Sequence, residues 1–223
     1  GKNMDGHNFT KEAIKKGAAK LVISKNLKKI PSKKIIKVKN TFSSLNNLAK
    51  STRDRSLANI IGITGSVGKT TLKNLLGFVL ESYGTVYCSP HSYNNKYGVP
   101  LSLCNLKRNT QYGVFEIGMD KKGEINNLSK IVKPEIAVIT NVASAHLKNF
   151  SNLKGVAKAK SEIINNIAPG GNIILNKDNK FFNFLSKKAK INNVKIITFG
   201  IKKKADIFLL GIKKRKNYYI LKI

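Results

Sequence analysis

Residues 62–71 read Gly62-Ile63-Thr64-Gly65-Ser66-Val67-Gly68-Lys69-Thr70-Thr71, a composition suited to wrapping a chain of phosphates. Glycines let backbone N–H groups turn inward, and a helix starting near Lys69 adds the partial positive charge of its N-terminus. Lys69 can neutralise β- and γ-phosphate charge, and the Thr70 hydroxyl can sit on Mg²⁺. Gly65, Ser66, Val67, Gly68 and Thr71 complete the cradle. The general G-x-x-x-x-G-K-[ST] form would place its first glycine at 63, where this chain has Ile63; its glycines stand at 62, 65 and 68 instead. Three further segments carry groups able to work with such a loop. Glu116 closes the apolar run Tyr112-Gly113-Val114-Phe115, where a carboxylate can hold Mg²⁺ directly or through water, or simply pair with a surface lysine. His146 ends Thr140-Asn141-Val142-Ala143-Ser144-Ala145, where it can bind a divalent ion, touch phosphate, or serve structure alone. Asn94 and Asn95 form a pair within His91–Pro100; such amides can bridge phosphate and substrate or build a turn.

These groups need strands to deliver them. Apolar runs at 59–63, 112–117, 135–140, 172–176 and 194–199 read as strands, and amphipathic runs at 70–82, 122–131 and 153–167 as helices. Leu72, Leu75, Leu76, Val79 and Leu80 give the first of these helices its stripe. Alternation of strand and helix implies an α/β fold with a mainly parallel sheet flanked by helices, and ligands beyond the C-terminal strand ends. Lys158 and Lys160 fall on the helix after His146, where a solvated face is the plain alternative for each. Upstream, residues 1–55 read as a small α/β piece: a helix through Phe9, Ala13 and Ile14, strands at 20–24 and 35–38, and a helix through Phe42, Leu45, Leu48 and Ala49. The polar run 51–56 reads as a linker. Near the end, 207–212 and 218–223 flank a basic turn as a hairpin.

Composition narrows the function class. The 223 residues are 41% hydrophobic, enough for one or two cored domains. No run approaches the ~20 apolar residues of a membrane span. Two cysteines, Cys88 and Cys104, make neither a disulfide framework nor a metal motif, so a reducing cytoplasm is expected. A net charge of +31 invites a nucleic-acid reading. The basic residues are nearly all lysine, however, with arginine at 53, 55, 108 and 215 alone, whereas base and phosphate recognition favours arginine forks. The lysines are dispersed among many Asn and Ile, a bias that A/T-rich codons produce by themselves. No dedicated nucleic-acid function is expected. A non-catalytic P-loop or nucleic-acid-binding module is the rival of another class.

Taken together, the chain resembles the Mur ligases of peptidoglycan synthesis. The carrying segments are Ile63–Thr70, Tyr93-Asn-Asn-Lys-Tyr-Gly-Val-Pro-Leu-Ser102, Phe115-Glu-Ile-Gly-Met119 with Gly123-Glu-Ile125, and Thr140–Leu147. Asp5-Gly-His-Asn-Phe9, Leu175-Asn-Lys-Asp-Asn179 and Thr198-Phe-Gly200 extend the likeness over nearly the whole chain. The motifs favour the branch that joins D-alanyl-D-alanine to UDP-N-acetylmuramoyl-tripeptide through an acyl phosphate, with ATP and Mg²⁺. A sister ligase adding the diamino acid, or a folylpolyglutamate synthetase, is the rival within the class. The resemblance implies that Lys69 and Thr70 hold the γ-phosphate and the first Mg²⁺, and that Glu116 and His146 complete the metal sites. Lys160 matches the lysine that these ligases carry as a carbamate, with Lys158 as the neighbouring option. Asn95 would lie near the transferred phosphate, Asn176 and Asp178 near the nucleoside, and Asp5, Gly6, His7 and Asn94 near the substrate. Residues 1–55 would be part of an N-terminal UDP-sugar-binding domain, and 56–223 an ATP-binding central domain incomplete at its end. The C-terminal domain would be absent. A monomer is expected, inactive or nearly so in isolation.

Overall fold

The computed structural model describes residues 5–27, 30–144, 149–150, 152–202, 204–216 and 218–223, in two compact units, Gly1–Leu48 and Ala49–Ile223. In the first, Asp5 caps a 3₁₀ turn at Gly6–Phe9 by accepting from the His7 N–H at 3.1 Å. Helix α1 (Thr10–Lys15) follows. Strands β1 (Leu21–Ile23) and β2 (Ile35–Lys37) then pair in parallel, with Leu21 opposite Ile35. Leu21 and Ile23 are buried while Val22 faces out, the period-2 alternation of a one-sided strand. Helix α2 (Thr41–Asp54) runs across the division between the units.

The second unit is built on a seven-stranded parallel sheet. Its strands are β3 (Asn59–Thr64), β4 (Val86–Cys88), β5 (Tyr112–Glu116), β6 (Ile136–Ile139), β7 (Asn172–Asn176), β8 (Lys195–Gly200) and β9 (Ile207–Phe208), in the order β4-β5-β3-β6-β7-β8-β9. Strand β3 is central and buried on both faces. Ile60 joins the larger core with Phe115, Val132, Ala137 and Ile173, whereas Ile61 and Ile63 join Val114 and Val138 under helix α3 (Lys69–Leu80). Continuous apolar runs such as Asn59–Thr64 are what a parallel strand covered on both faces requires. The strand order reverses beside β3, with β5 on one side and β6 on the other. The crevice beyond their C-terminal ends is where an open α/β sheet receives ligands.

Helices α4 (Gly98–Cys104), α5 (Glu124–Val132), α6 (Leu153–Lys160) and α7 (Phe182–Ile191) complete the layers. Strand β4 and helices α4 and α7 had no expected range; two of them are three and seven residues long, too short to show a period. Pro100 sits in the first turn of α4, where its missing N–H removes no bond. The expected helix over 153–167 is α6 followed by a 3₁₀ segment at Ser161–Asn166; the Ser161 hydroxyl donates to the Lys158 carbonyl at 2.7 Å, a local bond that competes with the α-helical ladder. At the end of the chain, Ile207–Phe208 pairs parallel with β8, so the hairpin consists of β10 (Gly211–Lys214) against β11 (Tyr219–Lys222).

The polar run at 51–56 is not a linker. It is helical through Asp54 because Arg53 turns inward, 7% exposed. Its guanidinium donates to the carbonyls of Val132 and Lys133, both at 2.8 Å, and to the Glu135 carboxylate. The other Glu135 oxygen accepts from the Ile60 N–H at 2.7 Å, so one side chain ties α2 to the start of the central strand and to the turn before β6. Arg53→Ala leaves these acceptors without their donor and should cost about 2–4 kcal/mol, read as a lowered urea midpoint with an unchanged slope.

Candidate functional site

The crevice at the end of β3 is shaped by a loop that is fastened before any ligand arrives. Gly65 has φ +154°, and a Cβ there would lie 1.8 Å from the Thr140 hydroxyl oxygen. Gly68, at φ +81°, is the left-handed residue before α3, a conformation cheap for glycine alone. The Ser66 N–H donates to the Asn141 carbonyl at 2.9 Å, while the Ser66 hydroxyl donates to the Ala143 carbonyl (2.9 Å) and accepts from the Ala143 N–H (3.0 Å). The Thr140 hydroxyl donates to the Val67 carbonyl at 2.6 Å. The loop is therefore held by the segment after β6. No side chain caps the first turn of α3, so its leading N–H groups remain available to an anion. The Lys69 amine folds back on the Gly65 carbonyl at 3.1 Å, beside the same opening.

Glu116 stands opposite, at the end of β5 and 1% exposed. One carboxylate oxygen accepts from the Thr70 hydroxyl at 2.7 Å and the other from the Asn94 amide at 2.6 Å. Its own N–H donates to the Ser89 hydroxyl at 3.2 Å. Two hard oxygens, carboxylate and hydroxyl, thus meet beside the loop. That donor set fits Mg²⁺, which binds through one or two carboxylates and otherwise keeps water and phosphate oxygens. Among the described residues no three His, Cys, Asp or Glu side chains cluster as a ready-made cage, and such a cation needs none.

A cavity of about 400 Å³ opens here, lined by Gly65, Lys69, Asn94, Asn95, Glu124 and Lys160 among others. Lys160, on the last turn of α6, is 2% exposed. Burial, and then the charge of Lys69, pull its amine down to about 7, and no carboxylate pairs with it among the described residues. Lys158 is exposed and lines a different cavity with Lys122, Phe150 and Lys154, so Lys160 alone of the two faces the crevice. The Asn95 side-chain oxygen is engaged by the N–H groups of Tyr97 and Gly98, both at 3.0 Å, capping α4. Its remaining polar group is the amide NH₂.

The other expected site residues lie elsewhere. His146 lies outside the described residues. Asn176 and Asp178 line a separate cavity of about 240 Å³ beyond β7 and β8, where the Asp178 carboxylate accepts from the N–H groups of Ile201 and Lys202. Asp5, Gly6 and His7 line a cavity of about 540 Å³ within the first unit. Hydrogen bonds from Lys25 and His7 hold the Asp5 carboxyl well below the usual range. The Ser24 N–H donates to His7 Nε2 at 3.0 Å, which leaves Nδ1 as the protonated nitrogen facing Asp5. Sequence reasoning missed Ser89, Lys73 and Glu162. The last accepts from the N–H groups of Gly123 (2.8 Å) and Asn126 (3.0 Å) at the start of α5. Lys73 left a legible signal, a charged residue on the inward stripe of α3; Ser89 and Glu162 left none, because their partners are 27 and 36–39 residues away.

Comparison with known proteins gives this geometry relatives. Residues 63–221 match the Mur ligase middle domain. The chain is 38% identical to the UDP-N-acetylmuramoyl-tripeptide–D-alanyl-D-alanine ligase of Rickettsia prowazekii, over 98% of this chain and 50% of that protein. It is 35% identical to the Escherichia coli protein of the same name, over 90% and 43%. Its fold superposes on MurF from Acinetobacter baumannii with a TM-score of 0.87 at 31% identity, covering 99% of this chain and 48% of that one. On the Thermotoga maritima MurF solved with ADP the TM-score is 0.83 at 30% identity, covering 99% and 50%. The chain therefore spans about half the length of the relatives it matches.

The Lys160 environment has a titration signature. In CO₂-free buffer with ε-¹³C-labelled lysine, one resonance should move with a midpoint near pH 7, and it should vanish in Lys160→Met. The unfolded chain holds that proton up to about pH 10.4. The folded state has lost it by then, so this group makes stability rise with pH between those values. Lys160→Met should accordingly raise the melting temperature most at pH 6 and progressively less towards pH 10.

Proposed function

We propose that this chain, which belongs to the Mur ligase family, is the ATP-engaging part of a ligase that joins D-alanyl-D-alanine to UDP-N-acetylmuramoyl-tripeptide, forming ADP. The observation that carries the reading is that Lys69 and the buried Lys160 line one crevice, to which the Thr70–Glu116 oxygen pair is joined through the Asn94 amide. The names of the relatives supply the substrates, and the ADP-bound relative supports the nucleotide. The reaction would run in the cytoplasm, where ATP and nucleotide-linked precursors are available.

In this reading the N–H groups at the start of α3 and the Lys69 amine receive the β- and γ-phosphates. Thr70 and Glu116 hold Mg²⁺, with His146 as a further ligand. The metal, when bound, neutralises charge on the phosphoryl group in transfer. Lys69 leaves the Gly65 carbonyl to follow the moving negative charge, and the fastened loop keeps its N–H groups aimed without reorganising. The tripeptide carboxylate attacks the γ-phosphorus, breaking the bond to ADP and giving an acyl phosphate. The D-alanyl-D-alanine amine then attacks the acyl carbon. Phosphate leaves with the bonding pair, the amine loses a proton, and an amide remains. A carboxylate is a poor acceptor as it stands; phosphorylation gives it a leaving group. Asn95 contributes its amide hydrogens near the transferred group.

Lys160 acts here as a carbamate. A lysine amine that is substantially neutral near pH 7 can attack CO₂, forming an N–C bond and releasing a proton. This exchanges a buried cation for an anionic oxygen donor suited to Mg²⁺.

The test uses the full-length ligase and measures ADP release with UDP-muramoyl-tripeptide and D-alanyl-D-alanine, against a panel that includes diamino acids and a folate–glutamate pair. ADP release only with the tripeptide and D-alanyl-D-alanine is expected; a preference for another pair overturns the substrate assignment. Lys69→Ala should lower kcat by about 10²–10³-fold, the scale of removing one transition-state donor. Thr70→Ala and Glu116→Gln should each raise the Mg²⁺ concentration needed for half-maximal rate by about tenfold. Stripping CO₂ should slow the wild type, with recovery on adding bicarbonate, and should leave Lys160→Gln at its own low rate.

A further inference from the structure

Lys73 is a lysine in the core. It lies one helical turn beyond Lys69 on α3, is 2% exposed and ranks among the largest fully buried side chains. Burying an amine that can ionise is expensive, and no carboxylate pairs with it among the described residues. A leucine or methionine would fill the same volume without that cost. What an apolar side chain lacks is a donor. The Lys73 amine donates to the Ser89 carbonyl at 2.7 Å and to the His91 carbonyl.

Both acceptors matter to the crevice. Ser89 is the residue whose hydroxyl accepts from the Glu116 N–H. Glu116 in turn accepts from Thr70, three residues before Lys73 on the same helix. The bonds therefore close a ring: α3 to Glu116, Glu116 to Ser89, Ser89 back to α3 through Lys73. His91 has φ +44°, a left-handed conformation that a β-carbon disfavours, and it begins the segment leading to Asn94 and Asn95. A residue in that region needs surrounding bonds to hold it, and the Lys73 amine supplies one to its carbonyl.

We propose that Lys73 is a positioning residue that locks segment 89–95 and Glu116 against the phosphate-loop helix. It fixes the Thr70–Glu116 pair and aims the two asparagines without touching nucleotide. The consequence for metal binding rests on the proposed role of Thr70 and Glu116; the consequence for the segment does not.

The experiment compares wild type, Lys73→Met and Lys73→Arg of the full-length ligase, by hydrogen exchange without nucleotide or metal and by Mg²⁺ titration of ADP release. Lys73→Met should speed exchange over 89–95 and at the Glu116 amide by about tenfold or more, while 136–139 and 172–176 keep wild-type rates. It should also raise the half-maximal Mg²⁺ concentration by about tenfold, and Lys73→Arg, which keeps donors, should restore part of both. Wild-type exchange over 89–95 in Lys73→Met overturns the inference whatever the activity, and uniformly faster exchange across the sheet overturns it in favour of a purely structural role. If Lys73→Met does not fold, Ser89→Ala breaks the ring beside Glu116 without disturbing the amine; wild-type exchange at the Glu116 amide then overturns it. The metal reading fails separately, if Glu116→Gln leaves the Mg²⁺ titration unchanged.

Discussion

A carboxylate that is almost wholly out of water must have its oxygens satisfied, and Glu116 meets that demand with partners from two other elements. The Thr70 hydroxyl comes from the helix after the phosphate loop, and the Asn94 amide from the segment after β4. Each must arrive in register for the carboxylate to be tolerated there. The sheet sets that register: Ile63 lies opposite Glu116 in the parallel pairing of β3 with β5. A slip of one residue would turn the carboxylate to the other face of the sheet. The constraint therefore runs outward from one side chain to strand pairing, helix placement and loop conformation.

Much of this was legible in the residues. The strand runs announced themselves because a parallel sheet covered on both faces needs long apolar stretches, and the turn between β3 and α3 because its glycines stand at 62, 65 and 68, just before Lys69 and Thr70. Glu116 was legible from its place at a strand end. What was not legible depends on distance along the chain. Ser89 reads as an ordinary loop serine until β4 and β5 are paired. Glu162 reads as a helix-surface carboxylate until the start of α5 is brought beneath it. Arg53 lies in a polar run that reads as a linker, and the carbonyls of Val132 and Lys133, with the Glu135 carboxylate, give it reason to turn inward. Lys158 and Lys160 are two residues apart, and only the rotation of α6 separates the solvated one from the buried one.

Lys160 and Lys73, both interior, illustrate how environment divides one side chain into two behaviours. Lys160 faces a cavity, where burial, and then a second amine nearby, weaken its hold on its proton. Lys73 finds two backbone oxygens instead and works as a tie. In a chain carrying a net charge of +31, composition conceals both; burial distinguishes them from the solvated majority.

The fastening of the phosphate loop also bears on how the molecule forms. Ser66 and Ala143 are 77 residues apart, and the central strand receives one neighbour from 112–116 and the other from 136–139. Closing such long stretches of chain is slow, because their entropy is lost before the contacts that repay it exist. The loop therefore cannot take its working shape during early synthesis. Its fastening is completed only after the segment following β6 has docked, so a growing chain that has passed Lys69 lacks these ties until about seventy more residues have been added and packed.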